Sequence, residues 1–208
     1  MSSLRSSDRE LSPEKTAAVL DGALQEFLAH GYAAARIDRI VAAAGVSKAT
    51  VYRHFADKEH LFMALMQRLA SRKKLFWDES IERFEEEPTT FLRHCALTML
   101  ENVADDPQVL AFFRIILGES GRFPQLAQAF LTNIEKPGLD CLTQYFQAHP
   151  ELQLPDPEVA ARMFIGTLTH FVVTRDILHG RQIIPIDRDR LLDNLIATLV
   201  RPASSASA

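Results

Sequence analysis

The sequence predicts an all-α protein: a compact N-terminal unit of three short helices followed by a larger helical domain. Three observations carry this. Apolar residues recur at helical spacing nearly throughout, and no β-type alternation of useful length appears. Proline and glycine clusters cut the chain into helix-sized pieces. The chain has 208 residues, 47% of them hydrophobic, which is enough for one or two real cores.

The first helix is expected over Pro13–His30. Ser12 suits the N-cap, Pro13 the first helical position, and Glu14 the positive helix end. Leu20, Ala23, Leu24, Phe27 and Leu28 form its apolar stripe, and Gly31 ends it. A short helix follows over Ile37–Ala44, with Ile37, Ile40, Val41 and Ala44 on one inward face. Gly45-Val46 makes the turn, Gly45 supplying a positive φ. The third helix spans about Ser47–His54, with Ser47 as cap and Val51 and Phe55 as anchors four residues apart. Asp57 is the expected cap of a fourth helix from Lys58 towards Glu85. Five further helices are expected near 89–104, 107–120, 123–148, 157–179 and 187–200. Residues 1–12 and 203–208 read as a flexible arm and tail, 13–58 as the first domain and 59–202 as the second.

Two helices joined by a tight glycine turn can seat the second helix in a DNA major groove. The outer face of the third helix carries Ser47, Lys48, Thr50, Tyr52, Arg53 and His54, hydrogen-bonding or cationic groups suited to base edges and phosphates. Ala49 is small enough for close approach, and Lys58 stands as a second phosphate clamp. A solvated face of a small helical bundle would read the same way from spacing alone.

Bulk charge gives no help. The net charge is −4, with a pI near 6.0. Residues 1–60 carry eight basic and eight acidic side chains, and the excess acid lies beyond them. Affinity for DNA must therefore come from where the cations point.

The string Gly31-Tyr32 … Ile40-Val41-Ala42-Ala43-Ala44-Gly45-Val46-Ser47-Lys48-Ala49-Thr50-Val51-Tyr52-Arg53-His54-Phe55-Ala56-Asp57-Lys58-Glu59-His60-Leu61-Phe62 closely resembles the N-terminal domain of TetR family regulators. The resemblance implies a helix-turn-helix (homeodomain-like) DNA-binding domain, a larger C-terminal domain for ligand binding and dimerisation, and release of the operator by ligand. It implies that Lys48, Ala49, Thr50, Tyr52 and His54 face double-stranded DNA, and that Ser47, Tyr52 and Lys58 hold phosphates of an inverted repeat. The family often has Thr or Ser where this chain has Ala34-Ala35-Arg36; Arg36 is the candidate replacement for the missing hydroxyl contact at Ala35. The stretch Glu119-Ser120-Gly121-Arg122-Phe123-Pro124-Gln125-Leu126-Ala127 resembles the AefR-like subgroup, which implies a link to efflux or transport genes.

The resemblance further implies that the last two long helices pair with those of a second copy. Phe164, Leu168 and Val172 on one, and Leu192, Leu195, Ile196 and Leu199 on the other, are the expected homodimer interface. Thirteen phenylalanines exceed the needs of a small DNA-binding module. Phe91, Phe112, Phe113, Phe130 and Phe171 are therefore expected to line a cavity for a small hydrophobic effector. His94, Cys95, Thr98, Tyr145, His170 and Arg175 are its candidate polar groups.

No phosphate loop, nucleophile elbow or zinc-protease motif is present, and His94-Cys95 point about 100° apart on a helix. No cofactor, no metal and no catalytic role is expected. Two cysteines without Cys-x-x-Cys spacing, no signal-peptide core and no run of about 18 apolar residues lead to the expectation of a cytoplasmic protein free of the membrane. The rival reading is a ligand- or partner-binding protein that no longer recognises DNA.

Overall fold

The computed structural model describes residues 12–72 and 85–200, with backbone alone for 70–72. Residues 1–11 and 201–208, most of the expected arm and tail, lie outside the described residues. So do residues 73–84, the later part of the expected fourth helix. Among the described residues the regular structure is helical throughout. The chain divides into two compact units, residues 1–66 and 67–208.

In the first unit, α1 spans Pro13–Ala34, α2 Ile37–Ala44, α3 Lys48–His54, and α4 Lys58–Arg72 begins it and leads out. The boundary falls two turns into α4 rather than at its start. The reason is packing: Leu61, Phe62 and Leu65 of α4 are fully buried. The Phe62 ring meets Phe27 and Tyr32 edge-on at 5.1 and 5.3 Å. Gly31 kinks α1 at φ 70° instead of ending it, and one more turn carries the chain to Ala34. Ser12 stands at the N-cap, but its side chain makes no capping bond. The Thr16 amide and hydroxyl go to the Ser12 carbonyl instead.

The crossing of α1 over α2 is close because Gly22 has no side chain. A Cβ there would lie 3.0 Å from the Ile40 carbonyl oxygen and 3.1 Å from the Ala44 nitrogen. Backbone atoms on both sides cannot step aside as a side chain would.

The second unit contains α5 Pro88–Val103, α6 Pro107–Glu119, α7 Pro124–Phe130, α8 Lys136–Ala148, α9 Pro157–Val172 and α10 Arg188–Leu199. The acid-proline breaks in the sequence turn out to be helix starts. Asp106, Asp156 and Asp187 each accept from the free amides of the following first turn, and Glu87 does so for α5. The expected single helix 123–148 is continuous but widens into a π turn over Leu131–Glu135. Pro137 follows at once; it has no N–H to donate and its ring crowds the preceding turn. A second π turn, Val173–Ile177, extends α9 to Leu178.

The core of this unit joins α5, α8, α9 and α10. Phe164, Leu168, Val172, Leu192, Ile196 and Leu199 are buried inside it, and Leu195 packs at its edge. These were the expected dimer-interface residues; within one chain six of the seven are already core and Leu195 stays partly open. The helices α5 and α8 of the same chain already cover the apolar stripe of α9. The apolar residues that α9 leaves outward are Val159 and Met163, each about half exposed.

Replacing Gly22 by valine should lower the stability of the first unit by about 2 kcal/mol, as overpacking against backbone does. Thermal unfolding checks this; an unchanged midpoint would mean that the helices separate without cost.

Candidate nucleic-acid interface

The turn between α2 and α3 follows from one backbone conformation. Gly45 is left-handed at φ 63°, ψ 30°, and its amide and that of Val46 close on carbonyls of the last turn of α2. A Cβ at Gly45 would meet nothing within 4 Å. Glycine is thus required by the dihedral and not by crowding. Ser47 then caps α3, its oxygen accepting from the Thr50 amide at 3.1 Å. The Ser47 and Thr50 hydroxyls share a further bond of 2.9 Å. Val51 and Phe55 are buried and fix the rotation of α3.

That rotation leaves Ser47, Lys48, Ala49, Tyr52 and Arg53 exposed on one face, with Thr50 half-buried beside them. Arg36, at the N-cap of α2, is exposed as well. The Lys48 ammonium lies 2.8 Å from Asp38 of α2. The bond from Lys48 holds the Asp38 carboxyl below its usual range and Lys48 above its own.

Two expected DNA contacts are redirected by packing. His54 is half-buried and turned to α1, with Nδ1 2.9 Å from the Thr16 hydroxyl. The Thr16 hydroxyl also lies 3.2 Å from the Ser12 carbonyl, to which it can donate. Nε2 is buried with no partner. Protonation there would create an unsatisfied buried donor. Burial first, then the charges of Arg53 and Lys15, hold His54 below its ordinary 6.5.

Lys58 is the second correction. Its ammonium donates to the carbonyls of Tyr32, Ala33 and Ala35 at 2.8, 3.2 and 3.2 Å. It also lies over the Tyr32 ring at 4.6 Å. These carbonyls lie at the end of α1, and the three donors of one ammonium reach all of them. Lys58, expected as a phosphate clamp, therefore ties the unit together from inside in the free chain.

Glu26 was missed by sequence reasoning. Its carboxylate is buried and accepts from the amide of Arg36, the N-cap residue of α2, at 2.9 Å. Arg39 and His30 lie 3.4 and 3.1 Å from it. The available signal was a charge seven residues after Val19, on the buried face of α1.

The expected effector residues do not converge. Phe91 stacks on Tyr145 at 3.7 Å, and both lie in the core with Cys95. The Tyr145 hydroxyl donates to the Glu86 carbonyl at 2.8 Å, and burial pushes its ionisation well above the ordinary phenol range. His94 is exposed and bonds Thr98 at 3.3 Å. Phe112 is buried, while Phe113 and Phe130 form a separate half-buried pair at 5.5 Å. His170 is exposed. Phe171 and Arg175 share a cleft of about 360 Å³. The reason is helical phase: side chains one turn apart share a face, but the cross-helix partner decides which face is core.

Lys58→Met should destabilise the first unit by about 2 kcal/mol, since it removes a charged donor from three carbonyls. Urea unfolding checks this; an unchanged midpoint would return Lys58 to a surface role. The lowered pKa of His54 favours the neutral ring in the fold, so the unfolded chain binds the proton first. Stability is then complete above pH 6.5 and is lost as pH falls through 6.5 towards the folded value. Unfolding midpoints between pH 7.5 and 5 should fall less steeply in His54→Gln than in the unmodified protein.

Residues 19–65 match the family described as bacterial regulatory proteins, tetR family. Residues 90–201 match the C-terminal domain of the AefR-like transcriptional repressors. The HTH-type transcriptional repressor AcnR of Corynebacterium glutamicum is 43% identical over 54 residues, 26% of this chain and 29% of its own length. The acrEF/envCD operon repressor of Escherichia coli is 26% identical over 98 residues, 47% of this chain and 44% of its own. The chain thus spans less than half the length of either relative. Among solved structures, the flavonoid-responsive regulator FrrA superposes with a TM-score of 0.72 at 26% identity, over 93% of this chain and 100% of its own. No described helix is long and apolar enough to cross a membrane. With its N-terminal helix-turn-helix and its larger helical C-terminal domain both matched, this chain belongs to the TetR family of bacterial transcription regulators.

Proposed function

We propose that this protein is a ligand-responsive repressor that binds an inverted repeat in double-stranded DNA as a homodimer and is released by a small, largely apolar effector. The observation that carries the reading is the face of α3. Ser47, Lys48, Ala49, Tyr52 and Arg53 are exposed together, on a helix whose rotation is fixed by Val51 and Phe55. That combination presents donors and a small residue to base edges from a rigid support. Arg36, exposed at the start of α2, serves as a phosphate contact. A two-fold dimer matches a two-fold operator, with recognition helices in successive major grooves. The name of FrrA supports a small aromatic effector, and that of the acrEF/envCD repressor supports control of efflux genes. The protein acts as a regulator and not as an enzyme.

Lys48 enters this reading with a competitor. In the free protein its ammonium is paired with Asp38 across 2.8 Å. Both groups are exposed, so the pair is weak and a guanine or phosphate can take its place.

A gel-shift series with DNA flanking its own gene tests the reading. A salt-sensitive specific complex is expected, and its absence from every flanking promoter would overturn it. Lys48→Ala should change sequence preference. Arg36→Ala should weaken binding to all sequences alike and reduce the salt slope by about one.

A further inference from the structure

The connector between α9 and α10 borders a cleft that takes in Phe171 and Arg175 of the expected effector residues. It has a volume of about 360 Å³, at the small end of ligand cavities, which run to about 1,000 Å³. Three guanidinium groups line it: Arg175 from the π turn after α9, Arg181 from the connector and Arg190 from the first turn of α10. Phe171, Ile184 and Ile186 line it as well.

The cations are held in place from below. Asp176 has a side chain only 1% exposed, and its Oδ1 accepts from Arg181 Nε and Nη2 at 3.1 and 2.5 Å. Arg175 Nε lies 3.5 Å from the same oxygen, and its guanidinium lies over the Phe171 ring at 5.0 Å. Asp176 Oδ2 is buried with no partner. One buried carboxylate thus fixes two arginines without neutralising the whole set. Arg190 makes no ion pair among the described residues. The other acid at the rim, Asp187, is occupied as the cap of α10, accepting from the Arg190 amide at 2.9 Å.

The wall is fixed too. A Cβ at Gly180 would lie 2.5 Å from the Thr174 carbonyl oxygen, so the connector returns against the end of α9 at backbone contact distance. Ile183 and Ile184 amides both close on the Gly180 carbonyl. Yet Ile184 and Ile186 remain 56% and 45% exposed. Apolar side chains held open beside unneutralised cations ask for a molecule with both characters.

We propose that this cleft binds an oxyanion-headed amphiphile. A carboxylate or phosphate head pairs with Arg190 and the outer guanidinium edges of Arg181 and Arg175. A short apolar body lies along Phe171, Ile184 and Ile186. A free inorganic anion would leave the apolar wall wet, and an uncharged chain would leave the guanidinium groups unmatched.

Titration calorimetry of the full chain with decanoate, decyl phosphate, decanol and inorganic phosphate tests this independently of any DNA reading. One saturable site per chain is expected for decanoate or decyl phosphate. Decanol and inorganic phosphate should each bind at least about tenfold more weakly. Preference between decanoate and decyl phosphate assigns the head, and either result supports the site. Arg190→Ala and Ile184→Ser change surface side chains and should each weaken binding roughly tenfold, with helicity by circular dichroism unchanged. Binding that both variants leave intact would place the ligand elsewhere and overturn the proposal. It would also be overturned if no probe bound and Arg190→Ala instead altered the oligomeric state, which would give the cleft to a second copy.

Discussion

The geometry of the N-terminal unit depends on how the junction between α1 and α2 is held. Only Ala35 and Arg36 separate the two helices, and helix ends leave carbonyls and amides in need of partners. One cation and one anion supply the matches. Lys58 gathers three carbonyls on the α1 side, and Glu26 takes the Arg36 amide on the α2 side. Both side chains come from other helices, so the junction ties α1, α2 and α4 together as it satisfies itself. The aromatic trio of Phe27, Tyr32 and Phe62 packs directly beneath it.

The recognition face inherits its precision from that arrangement. With α2 fixed by its cap and by the close crossing at Gly22, the left-handed Gly45 determines where α3 begins. Val51 and Phe55 then set its rotation, and the exposed donors follow. His54 shows the same logic at the far end of α3. The ring is drawn to Thr16 on α1, so the last residue of the helix serves the fold while Lys48, Ala49, Tyr52 and Arg53 stay exposed.

The C-terminal unit uses charge differently. Three of its helices, α5, α6 and α9, start on acidic caps followed by proline, and its core is apolar around one buried tyrosine whose hydroxyl donates to a backbone carbonyl. Asp176 is the exception. A buried carboxylate is costly unless paired, and here the pairing organises two arginines at the edge of the domain.

Much of this was legible beforehand. Helical periodicity and the Pro and Gly breaks placed the helices within a few residues, because both are local properties. The residue string from Gly31 to Phe62 identified the recognition helix, and spacing alone placed Val51 and Phe55 inward. The sequence by itself thus determined the helices, the turn at Gly45 and the side chains that α3 offers. Only tertiary structure decided the fate of individual polar groups and of apolar stripes. Lys58 and His54 look outward in a helical wheel, but neighbours from α1 claim them. Phe164 and Leu192 carry the spacing of an interface, yet within one chain they are already core. Periodicity reports which residues share a face, whereas a long-range partner determines whether that face meets solvent, a second molecule or the chain itself.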